Sequence, residues 1–370
     1  MQIMEVEPIA LQPRWLFVKI TTDTGIVGWG ECLGDRAETI ARAVKELRRY
    51  LIGKNPMETE RHWQAMYRMP FWRGGPVLNA AISGVDIALW DIRGKVLDAP
   101  VWELLGGKCR DKVRLYRGIG GNTPDALVNS ARKAVDDGFS AVKWCPVSEG
   151  VPPLTGRKGP EDAAAQVEAV RDEFGADLDI LLDFHGRLSP ALGIVYAKAV
   201  EPFNPFFIEE PVLPEQSDAI PRIAAMTHVP IATGERLFTK FGFKSVIANG
   251  GVAMIQPDLC ICGGLTEGKK IAAMAEAYQI GLGPHNPYGP VNSAASLHLD
   301  VCSPNFVIQE FVSLGEGIFT EPLKHQDGYL LIPDSPGLGI EVDESAVRAR
   351  PYVPVDTPLL TDEDGSIVDW

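Results

Sequence analysis

Over residues 112–310 the chain carries eight short apolar runs, separated by stretches of helical period. The runs occupy residues 113–121, 140–145, 178–186, 206–211, 230–235, 254–258, 280–285 and 305–310. Consecutive parallel strands need a crossover of about a dozen residues or more, and the intervals here can supply one. Eight such strands favour a closed parallel β/α barrel over an open doubly wound sheet. The turn after the first run offers only Gly118-x-Gly120-Gly121, short of the G-x-G-x-x-G that a dinucleotide site requires.

Ahead of the barrel pattern, residues 14–31 alternate apolar and polar side chains around Thr24-Gly25 and read as a hairpin. Helical period follows over 36–52, 57–70 and 79–97. The expected division is an α+β domain over 1–112 and the barrel over 113–320. A tail over 321–370, rich in Pro, Gly and acids, carries short strands at 328–332 and 337–342 and is expected to pack back on the first domain.

Composition then narrows the function classes. The 370 residues hold 49 acids against 35 Lys and Arg, a net charge of −14. No basic face large enough to track phosphates can be assembled, which argues against nucleic acid or an anionic membrane as partner. Arg42, Lys45, Arg48 and Arg49 cluster at helical spacing and read as a solvated helix face. No apolar run approaches the ~18 residues of a membrane span and the N-terminus lacks a leader pattern, so a cytoplasmic location is expected. Six scattered cysteines without a C-x-x-C pair read as free thiols, and the absence of any H-x-H argues against a histidine-rich hydrolase barrel.

The chemistry gathers where the runs end. Lys143 closes the second, Asp183 with His185 the third, Glu209 with Glu210 the fourth, Glu235 the fifth, Asp258 the sixth, His285 the seventh and Glu310 the eighth. From Asp183 onward the spacings are 26, 26, 23, 27 and 25 residues, one β/α unit each. These groups therefore fall on the C-terminal rim, where barrels of this kind place catalysis. Asp183, Glu209 and Glu235 come from consecutive staves, and three like charges so close would raise one another's pKa unless a cation lies between them. An all-oxygen anionic set suits Mg²⁺, whereas zinc wants nitrogen or sulfur. Glu210 is the rival of Glu209, but strand alternation sends it the other way.

His285 and Asp258 end neighbouring staves, so a carboxylate can hold the far N–H of an imidazole that serves as general base. His185, two residues beyond Asp183, shares its face and offers a second acid or base. His228 precedes the fifth run and belongs to the opposite face of the barrel. His62, His298 and His325 fall on helical or tail segments and read as structural or solvated.

This constellation resembles the mandelate-racemase branch of the enolase superfamily, which uses a Lys or His base with Mg²⁺. The strings Pro13-Arg-Trp, Gly28-Trp-Gly-Glu31, Phe71-Trp-Arg-Gly-Gly-Pro76, Ala88-Leu-Trp-Asp-Ile-Arg-Gly-Lys-Val, Leu181-Leu-Asp-Phe-His-Gly-Arg187, Phe207-Ile-Glu-Glu-Pro-Val and Gly283-Pro-His-Asn-Pro carry the likeness over essentially the whole chain. Within that branch they most resemble acid-sugar dehydratases of the galactonate type. The resemblance implies a (β/α)7β modified TIM barrel under an N-terminal α+β cap completed by the tail, one Mg²⁺ per site, an anionic acid-sugar substrate and assembly into a homo-oligomer. It implies that His285 takes the C2 proton, that Glu310 supports the resulting enediolate, and that His185 protonates the departing 3-hydroxyl. Arg14, Phe71, Trp72, Arg73, Cys145 and Glu235 are then expected at the substrate, the cap loops near 29–35 and 69–76 setting specificity.

Two departures bear on the reaction. Racemases of this type carry Lys-x-Lys on the second strand, and here the run is Lys143-Trp144-Cys145, so a two-base racemisation is disfavoured and Lys143 is left to bind substrate or support an oxyanion. Cys145 replaces the Asn expected in galactonate dehydratases, and a Pro-rich insertion follows at 146–160. An epimerase or cycloisomerase on the same scaffold is the competing enzyme reading, and a non-catalytic acid-sugar-binding barrel the competing non-enzyme one.

Overall fold

The computed structural model describes residues 1–149, 159–362 and 364–369. Most of the Pro-rich 146–160 stretch lies outside the described residues. The chain opens with an antiparallel sheet of β1 (Ile3–Leu11), β2 (Trp15–Thr22) and β3 (Val27–Cys32), ordered β1-β2-β3. β2 and β3 are the hairpin expected around Thr24-Gly25, with Gly25 at φ 82° in the turn. β1 has little sequence signal of its own, because Glu5, Glu7 and Pro8 interrupt its apolar alternation.

Three helices complete this layer: α1 (Ala37–Leu51), α2 (Thr59–Arg68) and α3 (Pro76–Leu97). α1 buries Ile40, Val44, Leu47 and Leu51 at helical spacing and leaves Arg42, Lys45, Arg48 and Arg49 in solvent. α3 packs on β3 at backbone distance: a Cβ on Gly30 would lie 1.9 Å from the Gly84 carbonyl oxygen. The glycines of the Gly28-Trp-Gly string are therefore what lets helix and sheet meet. The short α4 (Val101–Leu104) leads out of this layer.

The barrel strands are β4 (Lys112–Gly118), β5 (Ala141–Trp144), β6 (Asp179–Asp183), β7 (Phe207–Glu209), β8 (Ile231–Thr233), β9 (Met254–Ile255), β10 (Gly281–Leu282) and β11 (Gln309–Phe311). They pair in parallel in sequence order from β4 to β10, and β11 returns beside β4. A parallel bridge from Leu282 to Phe306 closes the ring. Among the described residues seven α-helices alternate with them: α5 (Pro124–Asp136), α6 (Gly159–Phe174), α7 (Pro190–Val200), α8 (Ile220–Ala224), α9 (Thr239–Asn249), α10 (Gly264–Glu276) and α11 (Pro290–Val301). The fold is thus a (β/α)7β modified TIM barrel with an N-terminal cap.

One interior layer of the barrel consists of Tyr116, Ala141, Leu181, Phe207, Ala232, Met254 and Ile308, each from a different stave. A separate apolar core lies between strands and outer helices, and the cap has its own. The tail adds β12 (His325–Gln326) and β13 (Tyr329–Leu331), with β13 antiparallel to β4. It then crosses to the cap, where α12 (Glu344–Arg348) places Arg348 against Glu7 and Glu344 against Lys19, and Pro351 bridges Leu11. The strand expected at 337–342 is absent. Gly337 and Gly339 take φ 71° and 69°, which no extended strand holds, and the segment makes isolated bridges only.

Candidate active site

Successive inward side chains on a strand are two residues apart. Two residues beyond the interior layer stand Lys143, Asp183, Glu209, Gln256 and Glu310, and two further stand Cys145, His185 and Asp258. Glu235 arrives by another route, since β8 ends at Thr233 and Gly234, at φ 138°, turns the chain before it. Carboxylate oxygens of Asp183, Glu209 and Glu235 lie within 4.8 Å of one another.

Lys143 Nζ donates to both oxygens of Glu209 at 3.1 and 3.0 Å and sits 3.6 Å from Asp183 and 3.3 Å from Glu310. Glu210 points away, at φ 43°, and accepts from Thr233 Oγ1, from the Gly234 amide at 3.2 Å and from Arg236 at 2.7 and 3.1 Å. Its oxygens are already engaged outside the ring.

His185 takes φ 53°, a left-handed conformation that is uncommon for a residue with a side chain. Its amide donates to Asp183 Oδ1 at 2.8 Å, and its Nε2 lies 3.0 Å from Oδ2. His285 Nδ1 meets Asp258 Oδ2 at 2.9 Å, with Nε2 3.5 Å from Glu235. Glu310 Oε2 accepts the Asn286 amide at 2.8 Å. A cavity of 780 Å³ opens above these groups, lined by His185, Glu235, Asp258 and His285 from the barrel and by Arg14 and Asp35 from the cap.

The remaining expected positions divide. Arg14 reaches the cavity, donating to Pro287 O at 3.4 Å. Cys145 sits beside the ring, its thiol donating to Val147 O at 3.2 Å and accepting from Arg187 at 3.4 Å. Phe71, Trp72 and Arg73 are not brought to the cavity, although Pro76, at the start of α3 just after their loop, is. Phe71 and Trp72 are 86% and 85% exposed, and the chain returns to α3 through Gly74 and Gly75, both at positive φ. Arg236 and Tyr288 also line the cavity without having been expected there. Arg236 carried a signal in its place beside Glu235; Tyr288 carried none.

The electrostatics are those of a carboxylate cluster short of positive charge. Burial and the nearby Asp183 push Glu209 far up, and burial likewise raises Glu235 against the pull of His285. Burial works against a charged Lys143, but Glu209, Glu310 and Asp183 hold its pKa well above the usual value. Burial also opposes charging of His285, yet Glu235, Asp258 and Glu310 bring it up to about 10. His185 stands at about 10 as well, where burial is outweighed by its bonds to Asp183 and Cys145. A cation among the carboxylates would draw off this excess and return both imidazoles toward neutrality. The donors fit one: all three ligands are oxygens, and among the described residues the buried Glu235 Oε2 has no hydrogen-bond partner.

A (β/α)7β barrel carrying this rim under an α+β cap defines the enolase superfamily class. The chain belongs to its mandelate racemase and muconate lactonizing branch: residues 8–106 match the family's N-terminal domain and residues 126–346 the enolase C-terminal domain. Among its relatives is the D-galactonate dehydratase of Cronobacter sakazakii, 45% identical with all of both chains covered. That of Pectobacterium atrosepticum is 44% identical over the same extent. An enolase structure from Agrobacterium radiobacter, with sodium and L-malate bound, superposes with a TM-score of 0.93 at 28% identity and complete coverage of both chains. An enolase-superfamily member from Salmonella Typhimurium gives 0.89 at 33%, covering 96% of this chain and 100% of that one.

Proposed function

We propose that this protein is a hydro-lyase that dehydrates an acid sugar, D-galactonate or a close aldonate stereoisomer, to a 2-keto-3-deoxy acid. The observation that carries the reading is the placing of two imidazoles, each held by its own carboxylate, at one cavity beside three converging carboxylates. Two full-length relatives named D-galactonate dehydratase support the substrate class, as does a neighbour holding a small hydroxy diacid.

Asp183, Glu209 and Glu235 would hold one Mg²⁺, which supplies positive charge for the substrate carboxylate and for the charge that develops when the C2 proton leaves. His285 Nε2 accepts that proton, its Nδ1–H fixed on Asp258. Lys143 stands beside the carboxylates, 3.3 Å from Glu310, where its charge stabilises the oxyanion of the enediolate. Glu310, whose pKa, against burial, Lys143 and His285 hold below the usual carboxylate value, adds a hydrogen bond there only when it shares a proton. His185 donates its proton to the 3-hydroxyl as the C3–O bond breaks, releasing water. The enol product tautomerises to the ketone, so the net change is loss of one H₂O.

The test is an aldonate library incubated with enzyme and Mg²⁺ and assayed colorimetrically for 2-keto-3-deoxy acids. D-Galactonate or a stereoisomer is expected to give product. Exchange of the C2 proton in D₂O without any dehydration product would overturn the reading in favour of an epimerase or cycloisomerase.

A further inference from the structure

The loop carrying His285 is gripped from outside the barrel. Between β10 and α11, Tyr288 O accepts from Trp15 Nε1 at 3.1 Å, Pro287 O accepts from Arg14, and Tyr288 OH donates to Asp35 at 3.2 Å. Trp15, Arg14 and Asp35 all belong to the cap. So does Glu31, in β3, whose fully buried side chain reaches the N-terminus of α11. Its Oε2 accepts the Asn292 amide at 2.8 Å. α11 has no cap of its own, because Gly289 stands at the N-cap and Pro290 at the first position lacks an amide hydrogen. A Cβ at Gly289 would lie 2.3 Å from Glu31 Oε1, so glycine at 289 is a condition of the contact.

From Asn292 the contacts run inward. Its Nδ2 donates to Asp258 Oδ1 at 3.3 Å, and the Cys260 amide donates to the same oxygen at 2.7 Å. Asp258 is left with Oδ2 for His285. A buried carboxyl group is costly, and for Glu31 the helix end that it caps offsets that cost.

We propose that Glu31 is a positioning residue for the general base: by fixing the first turn of α11 it sets Asn292, Asp258 and His285 in line, and does so only while the cap is seated on the barrel. The inference rests on His285 being the base. It gives the Gly28-Trp-Gly-Glu31 string a single purpose, in which two glycines bring β3 onto α3 and the glutamate reaches the catalytic face. Burial pushes the Glu31 carboxyl up to about 8 against the pull of the helix amides. An uncharged isostere that keeps an acceptor oxygen should therefore retain the contact.

The test compares wild type, E31A, E31Q, N292A and H285N with Mg²⁺ and D-galactonate in D₂O, or with the best substrate of the aldonate screen where that differs. E31A and N292A should lower kcat for C2 exchange about 10–100-fold, the usual cost of losing an outer partner. KM and the Mg²⁺ affinity and stoichiometry by calorimetry should stay within about threefold, and E31Q should recover to within about fivefold of wild type. A merely structural role would lower the Mg²⁺ stoichiometry in step with the rate and would show no split of kcat from KM; that result overturns the proposal. So does wild-type exchange in E31A, or in N292A should E31A not fold. Exchange surviving in H285N overturns the assignment of the base itself, whereas a dead H285N beside a normal E31A and N292A overturns only the role of Glu31.

Discussion

His285 Nδ1 lies 2.9 Å from Asp258 Oδ2, across a sequence separation of 27 residues that spans one β/α unit of the barrel. The contact fixes the tautomer and leaves Nε2 as the basic nitrogen at the cavity. His285→Asn should abolish both C2 exchange and dehydration. Asp258→Asn should lower both rates by about 10–100-fold. Proton NMR in D₂O with D-galactonate reads the exchange, and colorimetric product assay reads the dehydration.

His185 serves the other end of the elimination. His185→Asn should lose dehydration while keeping measurable C2 exchange, because the base on the far stave is untouched. Equal loss of both activities would mean that His185 takes part in proton abstraction.

Glu209 and Glu210 are neighbours in sequence with different occupations. Glu209→Gln should weaken Mg²⁺ binding, whereas Glu210→Gln should leave it near wild type and cost stability through the Thr233, Gly234 and Arg236 contacts. Removal of metal with EDTA should stop turnover and Mg²⁺ should restore it. At 100 times its dissociation constant a bound ion adds about 2.7 kcal/mol to unfolding, which thermal melts with and without Mg²⁺ will register.

His298 gives the fold an acid-labile point. It is fully buried in α11, and its Nδ1 accepts the Trp102 amide at 3.1 Å. Burial lowers its pKa from 6.5 to about 4. The folded protein therefore binds fewer protons here than the unfolded chain, so this contribution is complete above pH 6.5 and is lost as the pH falls toward 4. The difference is worth about 3 kcal/mol. Urea midpoints between pH 7.5 and 4.5 should fall accordingly, and His298→Gln should flatten that dependence.

The barrel was legible because apolar runs and their polar ends recur once per β/α unit, and period-two alternation then ranked Glu209 above Glu210. The cap was legible in part. Its hairpin and helices carry local signals, whereas β1, with acids and a proline in its pattern, does not. The loop at 69–75 showed its aromatic residues but not where they point, since their exposure depends on how Gly74 and Gly75 turn the chain.

Periodic pattern thus determined, from sequence alone, that eight staves exist and which residues end them. Tertiary structure decided what those ends touch: Lys143 among three carboxylates, Arg236 on Glu210, and Glu31 on the Asn292 amide in the first turn of α11, 261 residues further along the chain. The physical reason is range. Strand and helix periods are local and repeat along the chain, but charge pairing and capping act across a few ångströms of space, between segments that only the closed barrel and its seated cap bring together.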